Sequence, residues 1–278
     1  MRFLRVGEPG AERPACLAGE RIVDLSSRVA DLTPDVMGSL GELGADIDGL
    51  PTLEPGRIGP PVSRPGKIVC VGVNYLAHAD ETQTAVPDEP PLFMKAPDTV
   101  VGPDDPVLIP PGSTATDYEV ELAVVMGRVA RYLGDDVDPL DYVAGYAVSN
   151  DVSERTFQLE RGGQWDKGKN CETFNPLGPW LVTPDEADPS DLAIECRVNG
   201  EVRQSSSTKM LIVSVPDLIR YISGFMVLYP GDVINTGTPN GVAIGYPDPK
   251  PYLVPGDVME LTIGGLGTQR QELVAASP

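Results

Sequence analysis

The chain has 278 residues, 41% of them hydrophobic and 22% charged, with a formal net charge of −20; this suits a globular protein with a sizeable core. A field of that sign repels nucleic acid and anionic membrane, so neither is an expected partner, and a site for an anionic substrate needs local positive charge. Glycine (30) and proline (29) favour many turns and short strands over a helical bundle.

In chain order, residues 1–50 read as a small unit. It has a strand over 2–6, a hairpin of 15–18 and 21–25 turning at Gly19-Glu20, and a weakly amphipathic helix over 34–43. The Pro/Gly-rich stretch 50–61 reads as a linker, which sets a small N-terminal domain with its linker at 1–60 and a main domain at 61–278. Residues 67–73 form an apolar run expected of a strand buried on both faces. A short helix over 75–83 follows, then strands over 92–95, 118–126 and 143–150. Ser153 is the expected cap of the next helix, and 161–178 reads as a long loop. Strands are expected over 180–183 and 192–198, with Asn199-Gly200 as a hairpin turn. A helix over 215–228 is expected behind Ser214 and Pro216, with Leu218, Ile219, Ile222 and Phe225 as its apolar face. Strands outnumber helices without strict alternation, so the expected class is α+β and mostly β.

The four cysteines are widely spaced, with no Cys-x-x-Cys pair, and Met1 to Gly7 hold no apolar core of a secretion signal. No run is apolar for long enough to cross a bilayer. The expectation is a soluble cytoplasmic protein with free thiols.

The candidate chemistry centres on 118–126. Period-two alternation puts Glu119 and Glu121 on one face that turns apolar at Ala123 and Val125. Two adjacent carboxylates on a half-buried face repel each other unless a cation or proton sits between them. The site reading is a hard-cation centre; the plain one is a solvated edge strand. Asp151, where an apolar strand meets a helix, is either a third ligand or a helix cap. Three oxygen ligands with no nearby His or Cys suit Mg²⁺, Mn²⁺ or Ca²⁺. The single histidine, His78, is spaced i, i+3 from Glu81, the pairing that would orient a general base; an exposed helical ion pair has the same spacing. Lys169 would bring positive charge to an anion or stand in solvent. Thr238, in Thr236-Gly237-Thr238-Pro239-Asn240-Gly241, sits in a turn able to hold a carboxylate or in a plain tight turn. Arg155 and Gln158 look into the same site or lie on an exposed helical face.

In series these motifs resemble the fumarylacetoacetate hydrolase family: Gly72-x-Asn74-Tyr75-x-x-His78-x-x-Glu81, Phe93-x-Lys95, Glu119-x-Glu121-Leu122, Asn150-Asp151-Val152-Ser153-x-Arg155, Gly168-Lys169 and Gly237-Thr238-Pro239-x-Gly241-Val242. The resemblance covers about residues 65–270. Residues 145–183 are most similar to bacterial members known as ureidoglycolate lyase and 2,4-diketo-3-deoxy-sugar-acid hydrolase. It implies a mixed β-roll or sandwich catalytic domain, a small N-terminal domain and a homodimer. It also implies a divalent metal, magnesium first, on Glu119, Glu121 and Asp151, with His78 and Glu81 activating water and Lys169 and Thr238 holding substrate. The implied activity is metal-dependent hydrolysis of a C–C bond in small 2,4-dioxo acids through a metal-stabilised enolate. An oxaloacetate-type decarboxylase, an isomerase or a ureidoglycolate lyase would fit the same site, and a non-catalytic ligand-binding protein stands as the rival of another class. Two departures from the family pattern, Asn170-Cys171 after Lys169 and Ala96 after Lys95, touch no implied ligand.

Overall fold

The computed structural model describes residues 1–277, so only the last residue of the expected 61–278 domain lies outside it. Ten strands follow one another in the main path of the larger sheet: Thr52–Leu53, Arg21–Asp24, Arg13–Ala18, Arg2–Val6, Asn175–Val182, Val143–Asn150, Val120–Met126, Val233–Asn235, Ile68–Val71 and Leu92–Lys95. A second sheet runs Glu201–Ser207, Ala193–Val198, Val258–Ile263, Gly267–Ala275 and Val107–Ile109. The protein is therefore mostly β with mixed sheets, as the turn-rich sequence implies.

The Val120–Met126 strand is buried at every position, because both faces of the larger sheet are covered. Val120, Leu122 and Val124 pack with Ile194, Met259 and Leu261 of the second sheet and with Leu218 and Ile222 of the Val215–Ser223 helix. On the opposite face, Ala123 and Val125 pack with Phe3, Leu25, Met37 and Leu40 of the N-terminal unit. Glu119 and Glu121 continue this second face, which places two carboxylates at the edge of a core. The N-terminal strand Arg2–Val6 pairs with Asn175–Val182, so the larger sheet runs through both units.

Several local expectations change. The 50–61 stretch is held to the N-terminal strands, with Thr52–Leu53 on Ile22 and Val23 and Ile58–Gly59 on Arg5 and Val6. Residues 161–178 are not one loop: a helical turn forms at Asp166–Lys169 and a strand starts at Asn175. Pro176 and Pro179 disguise that strand because proline gives no N–H to a ladder. The Gln269 amide compensates, donating to Val148, Pro176 and Gly178 carbonyls. Ser153 lies in a short strand, and Glu154 caps the following Arg155–Leu159 helix by accepting from the Phe157 N–H. The helix begun at Ser214 stops at Ser223 with Gly224 as its C-cap, so Phe225 falls outside it and is exposed. The Asn199-Gly200 turn forms with both residues at positive φ, as a two-residue hairpin requires.

Candidate active site and metal centre

Glu119 and Glu121 leave the strand toward the position where Val143–Asn150 ends. The Asp151 N–H donates to the Glu119 carbonyl at 2.9 Å, which brings Asp151 beside both glutamates. One carboxylate oxygen from each of Glu119, Glu121 and Asp151 lies within 4.8 Å of the others, and all three residues are buried. The solvated-strand and helix-cap readings therefore do not apply.

Three buried cations brace this trio. Lys169 Nζ donates to Glu119 Oε2 at 2.6 Å and to Asp151 Oδ2 at 2.9 Å. Lys95 Nζ donates to Asp151 Oδ1 at 2.5 Å and to the Val152 carbonyl at 3.1 Å. Arg155 is divided between Asp117 Oδ2 (2.8 Å), Glu119 Oε1 (2.6 Å) and Gln158 Oε1 (3.0 Å). Lys169 is thus no solvated loop lysine, and Arg155 and Gln158 are buried rather than on an exposed helical face. Asp117 is anchored in turn by the N–H groups of Tyr118, Ala243 and Ile244.

Charge within the network is unevenly shared. Burial disfavours the Glu119 carboxylate, but Lys169 and Arg155 outweigh that and hold its pKa down to about 2. Among the described residues Glu121 has no cationic side chain within ion-pair reach and accepts only from the Gly237 N–H at 2.8 Å. Burial, then the neighbouring Asp151 and Glu119, push its carboxyl well above the usual range. In sum, four carboxylates (Asp117, Glu119, Glu121, Asp151) meet three cations. A hard divalent cation supplies the missing charge and takes oxygen ligands at this spacing, so the residues present fit one.

His78 and Glu81 stand on the Leu76–Glu81 helix. His78 Nδ1 meets Glu81 Oε1 at 2.9 Å, and both side chains are largely shielded, so the pair is no exposed helical salt bridge. Glu81 Oε2 accepts from the Gly241 N–H at 2.8 Å, tying the helix to the turn after Thr238. The carboxylates held by this turn are the protein's own. Thr238 Oγ1 donates to the Val120 carbonyl and accepts from the Gln204 amide, so its hydroxyl supports the glutamate strand.

His78, Glu81, Glu119, Glu121, Asp151 and Lys169 line one cavity of about 420 Å³, which Arg155, Gln158 and Thr238 also reach. The fold thus brings together all nine residues singled out in the sequence. It adds Lys95 and Asp117, whose partners are 56 and 38 residues away in sequence. In the sequence Lys95 stands only as the end of the Phe93-x-Lys95 motif, with no role attached, and Asp117 is a lone acid just ahead of the 118–126 strand.

The family model for the fumarylacetoacetate hydrolase C-terminal region matches residues 67–274. A curated relative, 2,4-didehydro-3-deoxy-L-rhamnonate hydrolase of Sphingomonas sp. (strain SKA58), is 48% identical over 98% of this chain and 96% of its own length. The solved structure of fumarylacetoacetate hydrolase from Exiguobacterium antarcticum is 37% identical with a TM-score of 0.89, covering 99% of this chain and 100% of that one. Maleylpyruvate hydrolase from Sphingobium sp. SYK-6, solved with manganese(II) and pyruvate, is 29% identical with a TM-score of 0.82 over the whole of both chains. This chain belongs to the fumarylacetoacetate hydrolase family.

Proposed function

We infer that the protein is a divalent-metal-dependent enzyme that hydrolyses a C–C bond in small 2,4-dioxo acids. The observation that carries this reading is Glu121, a buried carboxylate without a cation, in the same cavity as the braced His78–Glu81 pair. Glu119, Glu121 and Asp151 would hold the metal. Magnesium is the proposed ion, supported by the all-oxygen set; manganese and calcium suit the same ligands, and manganese is the ion in the maleylpyruvate hydrolase structure. When bound, the cation supplies Lewis-acid stabilisation of negative charge developing on the oxo-acid oxygens.

The chain's own groups supply the rest. Glu81 holds His78 Nδ1 and leaves Nε2 to take a proton from water. The hydroxide adds to the C4 carbonyl, and the C3–C4 bond breaks. Its electron pair stays with the three-carbon oxo-acid fragment as an enolate, and the proton taken by His78 returns to C3. A carboxylic acid and a 2-oxo acid leave, so water and substrate are fully accounted for. The one Lys169 N–H left after Glu119 and Asp151, together with the Gln158 amide N–H, holds the substrate carboxylate. Arg155 positions them through Gln158 and through Glu119, which also holds Lys169, while the Thr238 hydroxyl, spent on Val120, supports the glutamate strand.

We place the enzyme in the cytoplasm, in keeping with four free cysteines and with the absence, among the described residues, of any helix long and apolar enough to cross a membrane. A homodimer is supported by exposed Leu76, Met210 and Ile212, gathered where Tyr75 bridges to Leu211. Product analysis tests the activity. Acetylpyruvate incubated with Mg²⁺ should give acetate and pyruvate in equal amounts. Carbon dioxide from oxaloacetate with no acetate from acetylpyruvate would replace the hydrolase with a decarboxylase.

A further inference from the structure

Among the described residues, one cavity-lining cation has no carboxylate to neutralise it. The charges of Lys169 and Arg155 are already met by ion pairs with the acidic residues. Lys250 also lines the cavity, half-buried, but among the described residues it makes no ion pair. Its ammonium donates to the Ile244 carbonyl at 2.6 Å and to the Tyr246 carbonyl at 2.7 Å. An ammonium carries three N–H donors, so one remains, together with a full positive charge in a protein of net charge −20.

The place of Lys250 follows from what holds its loop. Ala243 and Ile244 are fastened by their N–H groups to Asp117. Gly245 lies against the Glu81 carboxylate so closely that a Cβ there would stand 2.6 Å from Oε2. The loop therefore borders the cavity on the His78–Glu81 side. With the substrate carboxylate on Lys169 and Gln158 and His78 working at C4, the substrate tail beyond C4 runs toward this loop.

We propose that Lys250 is a specificity-determining residue: its free N–H donates to an oxygen on the substrate tail, a hydroxyl or a carboxylate. This rests on the hydrolase reading given above. A charge-assisted hydrogen bond in a shielded pocket discriminates strongly against a substrate lacking the acceptor, because the donor is then left unpaired. The enzyme thus selects oxygenated tails over plain alkyl ones. The two backbone carbonyls keep the ammonium in place without cancelling its charge.

The test compares kcat/KM for three 2,4-dioxo acids, with a methyl, a hydroxylated and a carboxylated tail, in wild type, Lys250→Met and Lys250→Gln, all with saturating Mg²⁺. Wild type should favour an oxygenated tail over methyl by about 10- to 100-fold, and whichever tail it favours identifies the acceptor. Lys250→Met should erase most of that ratio. Lys250→Gln should keep the preference if the acceptor is a hydroxyl and lose about tenfold if it is a carboxylate. Should Lys250→Met fail to fold by its melting curve, Lys250→Ala, which removes the same donors, takes its place and should erase the ratio in the same way. A ratio unchanged in both variants, or a common fall for all three substrates, shows that Lys250 only pins its loop and overturns the proposal. Wild type that hydrolyses none of the three removes the hydrolase reading itself, and Lys250's role with it.

Discussion

Replacing Lys95 by Met tests how the charge network is balanced. The Lys95 side chain is fully shielded, and Nζ serves Asp151 Oδ1 at 2.5 Å and the Val152 carbonyl at 3.1 Å. Methionine fills nearly the same volume, so the change removes charge and donors with little cavity. Removing one partner of a buried ion pair costs about 3–5 kcal/mol, since the other charge stays buried without compensation. Asp151 keeps Lys169 at 2.9 Å, which sets the expectation at the low end, about 3 kcal/mol. For a chain of this size each kcal/mol moves Tm by roughly 2 °C, so the metal-free variant should melt about 6 °C below wild type. The lost cation deepens the negative charge around the trio, so a divalent cation should bind the variant more tightly and raise its Tm further than it raises that of wild type. Thermal melts with chelator and with saturating Mg²⁺ measure both effects. A shift under about 2 °C, or an equal response to metal in both proteins, would refute the balance described here.

His78→Ala should lower kcat about two to four orders of magnitude at an unchanged melting temperature, the usual share of general acid–base catalysis; a loss under tenfold would remove it as the base. Glu81→Gln, which keeps an acceptor for one N–H but loses the charge beside the imidazole, should fall between wild type and His78→Ala; equality with wild type would show that the pairing is idle. Glu121 governs pH dependence. Its folded pKa lies above the ordinary 4.5, so its contribution is complete below that pH and is lost as pH rises toward the folded value. Glu119, held down to about 2, works in the opposite sense, and its contribution is lost as pH falls from 4.5 toward 2. In chelator, Glu121→Gln should therefore flatten the decline of Tm on the alkaline side of 4.5 and leave the acid limb intact. Parallel curves for the two proteins would contradict the assignment.

Much of this architecture is legible in sequence because local chemistry and global packing agree. Alternation over 118–126 puts the two glutamates on one face, and the Ser214 cap and the Asn199-Gly200 turn are local hydrogen-bond and φ requirements that the fold honours. The failures have physical causes. The Asn175–Val182 strand hides behind its prolines because a distant glutamine side chain completes its hydrogen bonds. Phe225 continues the helical spacing, but Gly224 ends the helix first. At the site, His78–Glu81 and Glu119–Glu121 are readable from short spacing, and Asp151 from its place at the end of an apolar strand. The roles of Lys95, which the sequence shows only as part of the Phe93-x-Lys95 motif, and of Asp117 are not, since they come from charges that only the folded chain brings near. Burial also redirects Arg155 and Thr238: each looks like a substrate group in sequence, and in the fold each is spent on the protein itself.

The most direct measurement is Mg²⁺ or Mn²⁺ binding by titration calorimetry, run beside acylpyruvate turnover on wild type and Glu121→Ala. The expected result is tight one-site binding and metal-dependent turnover in wild type, with both lost in a variant that still folds. Turnover that persists in Glu121→Ala, or in wild type stripped by chelator, would contradict a metal centre built on Glu119, Glu121 and Asp151.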